Sequence, residues 1–217
     1  MYAWSDIFLV FLILTNLVLL GSSRLAVYIR VLAAQGLALG LLPILTRLHE
    51  PGSRIAVLVG LGLVTMGVKG LLFPWLLFRA MRSAGVGREP KPFVSHSVSI
   101  LVGLLALAIS LRVGARLPLP GEAFSTLAGP VGLFTFFVGL FLIISRRKAL
   151  TQVMGYLVLE NGIFTLGMAL VAEVSVLVEL GVLLDAFVAV FVMQIAIHHI
   201  SHEFESTDVD RMSSLKG

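Results

Sequence analysis

The sequence predicts an all-α integral membrane protein with about seven transmembrane helices, and three observations carry that prediction. Of the 217 residues, 58% are hydrophobic and only 13% charged, whereas a soluble domain carries roughly a quarter charged residues. Mean hydropathy is +1.03, which implies more apolar surface than a soluble core of this size can hide. The apolar residues also fall in long continuous runs, near the roughly 20 residues a helix needs to cross the hydrocarbon core. They do not form the short alternating segments of a membrane β-barrel.

Seven runs divide the chain. The first extends from about Trp4 to Gly21. It has no Lys or Arg before it and lacks the basic start of a cleaved signal peptide, so it is expected to remain as a helix. The second spans about Leu25 to Leu45 and the third Ile55 to Phe78. The stretch RAMRSAGVGREPKPF then reads as a loop, because Gly and Pro break helices. The fourth run covers Val94 to Leu111, the fifth Ala123 to Ile144, and RRK at 146–148 marks the next break. From Ala149 to Ile200 the chain is apolar for 52 residues without Lys or Arg. As one helix that would be about 78 Å long, so it must fold back once, most simply near 172–176. Three portions result: five helices within 1–148, a helical hairpin at 149–203, and a polar tail at 204–217 expected in the cytoplasm.

Basic residues set the orientation. With the N-terminus outside, the inward loops and tail hold eleven Lys and Arg residues and the outward loops four. The positive-inside rule therefore favours N-terminus out and C-terminus in, as expected for a multi-pass protein of a bacterial or archaeal cytoplasmic membrane. The net charge of +4 reflects these topology signals and not a nucleic-acid site. Cysteine is absent, which excludes disulfides, iron–sulfur clusters and thiolate metal sites within this chain.

One basic residue is left over. Lys69 lies inside the third run, in VTMGVKGLLFPW, ten residues before Arg79, or about 15 Å along a helix. Its stem is too short to bring the ammonium fully to the interface. Pro74, five residues on, lacks an N–H and leaves the Gly70 carbonyl without its helical partner. Glu160 sits near the midpoint of the sixth run beside Asn161, and Asp185 lies in the seventh. Helix geometry puts Lys69 and Glu160 at similar depth, with Asp185 about 6 Å farther out. Each such residue costs about 2.5–3.5 kcal/mol at a helix centre and ordinarily faces protein or water and takes part in ion or proton movement. Two readings stand: a structural salt bridge of Lys69 with Glu160 or Asp185, or a set of groups exchanging protons near neutral pH, since burial weighs against every charged form.

Other polar features have plainer explanations. His198, His199 and His202 cluster at the end of the seventh run without the thiolates or HExxH pattern of a metal site, and suit an interfacial helix end. His96, between Ser95 and Ser97, fits a helix start. Gly36 and Gly40 form a GxxxG pair, and Gly67 and Gly70 thin the third run, as close helix packing requires. Asp6, Glu122, Glu173 and Glu179 fall at water-facing ends. The chain holds no nucleotide-binding loop, no nucleophile with a base in reach and no cofactor motif, so it is read as non-catalytic by itself.

The stretches GYLVLENGIFTLGMAL and VLVELGVLLDAFVAVFVMQIAIHHISHEFES resemble component E of hydrogenase-4, a membrane subunit of formate-hydrogenlyase-type complexes. The resemblance covers the whole chain and is strongest over about 150–206. The fifth to seventh runs are also similar to the K subunit of complex I and to the C subunit of multi-subunit Na⁺/H⁺ antiporters. The complex I subunit carries a membrane-embedded glutamate on each of its second and third helices; Glu160 falls on the first and Asp185 on the second. Asp185 is one methylene shorter than that glutamate, and Asn161 follows Glu160 directly where the complex I subunit has its asparagine a few residues later. The resemblance implies a proton-relay role for Glu160, Asp185 and Lys69, with membrane lipids around them. It also implies antiporter-like and quinone-subunit-like membrane neighbours, and peripheral hydrogenase and ferredoxin-like subunits carrying the nickel–iron site and iron–sulfur clusters. Two alternatives remain: a structural subunit tying the peripheral arm to antiporter-like partners, and a subunit of a cation/proton antiporter. An independent transporter would call for an inverted repeat, which the runs do not display.

Overall fold

The computed structural model describes residues 3–46, 59–60, 62–83, 93–114, 116 and 125–170. The seventh run, with Asp185 and the three clustered histidines, lies outside the described residues, as do Glu122, Glu173 and Glu179. Six helices are long and apolar enough to cross a membrane. They are α1 (Ala3–Gly21), α2 (Leu25–Thr46), α3 (Gly62–Arg82), α4 (His96–Gly114), α5 (Ala128–Ser145) and α6 (Ala149–Leu170). All regular structure among the described residues is helical.

Local chemistry sets the helix ends. The α5–α6 connection is only Arg146–Lys148, with Arg146 extended at φ −104° and ψ 144°. The Lys148 carbonyl accepts from the Thr151 and Gln152 amides, and Gln152 Nε2 donates to the Arg146 carbonyl at 3.0 Å. So short a turn forces α5 and α6 to lie antiparallel in contact. At the other end of α5, Ser125 Oγ accepts from the Leu127 amide at 3.0 Å and donates to Asp6 Oδ1 at 2.5 Å. This staples the start of α5 to that of α1 and gives Asp6 a partner. Ser95, and not His96, caps α4: its Oγ accepts from the Val98 amide and its carbonyl from Ser99 Oγ.

Three boundaries differ from the sequence reading. Helix α3 extends into the first residues of the segment read as loop, its α-helical part running Phe73–Ser83. That segment is amphipathic, with Leu77 and Ala80 buried, while Arg79 turns outward and stacks over Trp75 one turn earlier, 5.7 Å from the ring centroid. Helix α4 runs to Gly114, past Leu111. Helix α5 starts five residues later than Ala123, after a turn in which Ser125 Oγ accepts from the amide of Leu127, the residue before the helix.

Helices α1, α2, α5 and α6 pack around a shared core, α3 lies against α2 and α6, and α4 rests on α1 and α5. The main cluster gathers Leu19, Tyr28, Leu77, Phe134, Leu142, Met154 and Val158. The outer faces are apolar: Trp4, Ile7, Val10, Leu14 and Val18 on α1, and Leu101, Leu104, Leu105 and Ile109 on α4, are exposed, as suits helices facing acyl chains. The GxxxG pair of α2 packs as expected, Gly36 against Lys69 and Gly40 against Met66 and Gly62. Gly67 does not; among the described residues nothing lies within 4 Å of a Cβ there.

Candidate functional site

Lys69 sits where α3 departs from α geometry. Met66–Leu72 forms a π-helical turn, closed by the Phe73 amide donating to the Val68 carbonyl, five residues back. Such insertions are rare and concentrate at functional sites. Pro74 supplies the local reason: it has no N–H to continue the α ladder, and the wider turn changes which carbonyls are left without donors. On the facing helix Gly36 has no side chain, and a Cβ there would lie 2.7 Å from Lys69 Cβ and 2.9 Å from the Lys69 carbonyl oxygen. The α2 backbone thus presses on Lys69 itself and aims its side chain across toward α6.

There the ammonium meets three groups spaced along one face of α6. Lys69 Nζ is 2.6 Å from Glu160 Oε1, with the two side chains 6% and 2% exposed. Asn161 Oδ1 lies at 3.5 Å, the long limit of a hydrogen bond, and the Phe164 ring centroid at 5.6 Å. Among these described groups Glu160 is the nearest partner, with the carboxamide and the ring face adding weaker attraction.

From Asn161 the polar contacts continue across the bundle. Asn161 Nδ2 donates to Gln35 Oε1 on α2 at 3.2 Å. Gln35 Nε2 donates to Asn16 Oδ1 at 3.0 Å and Thr15 Oγ1 at 2.9 Å, both on α1. Asn16 Nδ2 donates to Thr135 Oγ1 on α5 at 2.9 Å, and that hydroxyl donates to the Val131 carbonyl at 2.8 Å. Thr15 is anchored in turn to the Phe11 carbonyl at 2.8 Å, and Thr165 to that of Asn161 at 2.8 Å. Asn16, Gln35, Thr135 and Thr165 are fully buried. One chain of polar side chains thus joins α3, α6, α2, α1 and α5.

Two of the three ionisable residues singled out in the sequence, Lys69 and Glu160, are brought into contact; Asp185 lies outside the described residues. The carboxamide chain was missed. Its signal was present, since Asn16 interrupts ILTNLVLL and Gln35 interrupts VLAAQGLAL, and intramembrane amides are expected to bond across helices. Arg146 lies in the turn as read, but buried. Read as one of three basic loop residues, it is 0% exposed and donates from Nη2 to the Leu20 carbonyl at 3.2 Å. The last carbonyls of α1 lack helical donors, and the tight α5–α6 turn tucks the guanidinium beneath them. Its Nε and Nη1 meet no acceptor among the described residues. Arg147 does point outward, over the Phe93 ring at 4.3 Å. Among the described residues no group of three His, Cys, Asp or Glu side chains is placed to hold a metal ion.

The described helices form a multi-pass bundle with a buried carboxylate on the helix after a three-residue turn. The family model described as NADH-ubiquinone/plastoquinone oxidoreductase chain 4L matches residues 130–217, a range that holds Glu160 and Asn161 and leaves out Asn16, Gln35 and Lys69. The chain is 30% identical over 208 residues to an uncharacterized protein of Mycobacterium tuberculosis, covering 94% of this chain and 92% of that one. It is 30% identical over 149 residues to hydrogenase-4 component E of Escherichia coli K12, 69% of each chain, and equally so to that of Shigella flexneri. No solved structure matches. The chain belongs to the hydrogenase-4 component E family.

Proposed function

We propose that this chain is a non-catalytic membrane-arm subunit of a membrane-bound hydrogenase of the formate-hydrogenlyase type, and that it takes part in proton translocation. The observation that supports this reading is the Lys69–Glu160 pair, 2.6 Å apart and almost wholly buried. An ion pair inside a hydrocarbon slab is costly to insert and, away from bulk water, its proton occupancy responds to neighbouring charge. Glu160 and Asp185 exchange protons laterally, and Lys69 is the resident cation against which Glu160 gains or loses its proton. Antiporter-like and quinone-subunit-like proteins flank it in the cytoplasmic membrane, and peripheral hydrogenase and ferredoxin-like subunits carry the nickel–iron and iron–sulfur centres. The N-terminus faces out, the C-terminus lies in the cytoplasm, and residues 149–203 form the K-subunit-like hairpin.

Glu160→Gln is nearly isosteric and still accepts from Lys69. In the purified complex it is expected to leave assembly and hydrogenase turnover in place and to abolish proton movement coupled to turnover. Unchanged coupled proton uptake in vesicles holding that variant would defeat the relay. The polar chain spanning five helices also favours a second reading, a purely structural subunit. That reading expects Glu160→Gln, Lys69→Met and Asp185→Asn to leave coupling intact wherever the complex assembles.

A further inference from the structure

The contacts around Lys69 have a direction. An ammonium only donates, so Asn161 must turn Oδ1 toward it, which leaves Nδ2 to donate to Gln35 Oε1. Gln35 then has only Nε2 to offer Asn16 and Thr15, and Asn16 only Nδ2 to offer Thr135. At the far end Thr135 donates to the Val131 carbonyl, which only accepts. The two ends allow one arrangement, in which three carboxamides in series all face their oxygen ends toward Lys69. Both asparagines of the whole chain are in this series, and all three carboxamides are at most 3% exposed.

We propose that Asn161, Gln35 and Asn16 are positioning residues, a one-way carboxamide chain that keeps the Lys69 ammonium turned toward Glu160. Aligned dipoles in a low-dielectric interior act cooperatively and need no reorganisation when charge shifts. The ammonium therefore stays seated whether Glu160 holds its proton or has passed it on. Carboxamides do not titrate in the ordinary pH range, so the series orients Lys69 without carrying protons toward α1. The branching bonds of Gln35 Nε2, to Asn16 and to Thr15, hold the middle of the chain from two residues of α1.

The functional arm of the test rests on the relay reading. In the purified complex, Gln35→Met removes both the acceptor for Asn161 and the donor to Asn16 at similar volume, whereas Gln35→Glu keeps the acceptor. Gln35→Met, which removes all three hydrogen bonds of the carboxamide, is expected to assemble normally and to lower coupled proton movement about ten-fold, as its break reaches Lys69 only through Asn161, while Gln35→Glu retains most of it. Simple interhelical glue would instead reduce the amount of assembled complex and leave proton movement per complex unchanged. That outcome, or equal losses in the two variants, overturns the proposal. A second arm is independent of the relay. In the full-length chain labelled with ¹⁵N-asparagine in lipid bilayers, only two side-chain amide groups report. Lys69→Met must move the signals of Asn16 as well as Asn161, although Asn16 is three hydrogen bonds from the ammonium. Should that variant not fold, Thr135→Val in the same labelled chain must move the Asn161 signal, three hydrogen bonds away through Asn16 and Gln35. An unmoved distant amide overturns the proposal, while failure of Glu160→Gln to alter proton movement defeats only the relay.

Discussion

Lys69→Met is expected to destabilise the chain by about 3–5 kcal/mol, the range for breaking a buried ion pair from one side. Lys69→Met combined with Glu160→Met is expected to recover most of that loss. The reason is desolvation. Glu160 and Lys69 are 2% and 6% exposed, so each group has given up its hydration and depends on the other. Removing the ammonium takes from the buried carboxylate its 2.6 Å counter-charge. Removing both leaves two flexible thioethers that pack against their neighbours without an unsolvated charge, and such replacements are often neutral or stabilising. The thermal midpoint of the full chain in mild detergent, read by circular dichroism, orders the variants. A single variant as stable as the unaltered protein, or a double variant worse than the single, would show that the pair is not desolvated.

The second large effect is expected at the α5–α6 contact. Gly162→Leu and Gly139→Leu should each cost about 1–3 kcal/mol or more, as overpacking of a close interface does. A Cβ at Gly162 would meet the backbone of Phe136 and Thr135, and one at Gly139 the backbone of Leu159. Backbone atoms cannot rotate aside, so the two helices must separate. The damage reaches the site, because Gly162 is two residues from Glu160 and Thr135 holds Asn16 at 2.9 Å. Gly67→Ala serves as the control: among the described residues nothing lies within 4 Å of a Cβ there, and alanine favours a helix over glycine by about 1 kcal/mol. Thermal midpoints that fall equally at all three positions would mean that close approach is not what these glycines provide.

The spans were legible because apolar run length is a coarse and strong signal; α1, α2 and α6 begin within a residue of where the runs begin. Context decided what was not legible. RAMRS at the end of α3 looks like a loop until Leu77 and Ala80 are seen to be buried while Arg79 lies over Trp75. The π turn was half visible, since Pro74 announced a broken backbone bond but not how Val68 and Phe73 would rearrange around it. Lys69 and Glu160 stood out because charge is rare at mid-membrane depth. Asn16 and Gln35 did not, since a neutral amide is cheap enough to pass unnoticed until its partners on other helices are known. Arg146 shows the limit of counting basic residues as topology signals: it sits in the RRK cluster, yet its guanidinium lies beneath the end of α1.

The central claim is that Glu160 changes protonation inside the membrane, opposite Lys69, while the complex works. Infrared difference spectroscopy of the purified complex, taken between its oxidised and reduced states, reads that change directly. The account predicts a carboxyl C=O band in the difference spectrum of the unaltered complex that is missing in Glu160→Gln. Identical spectra from the two would contradict it.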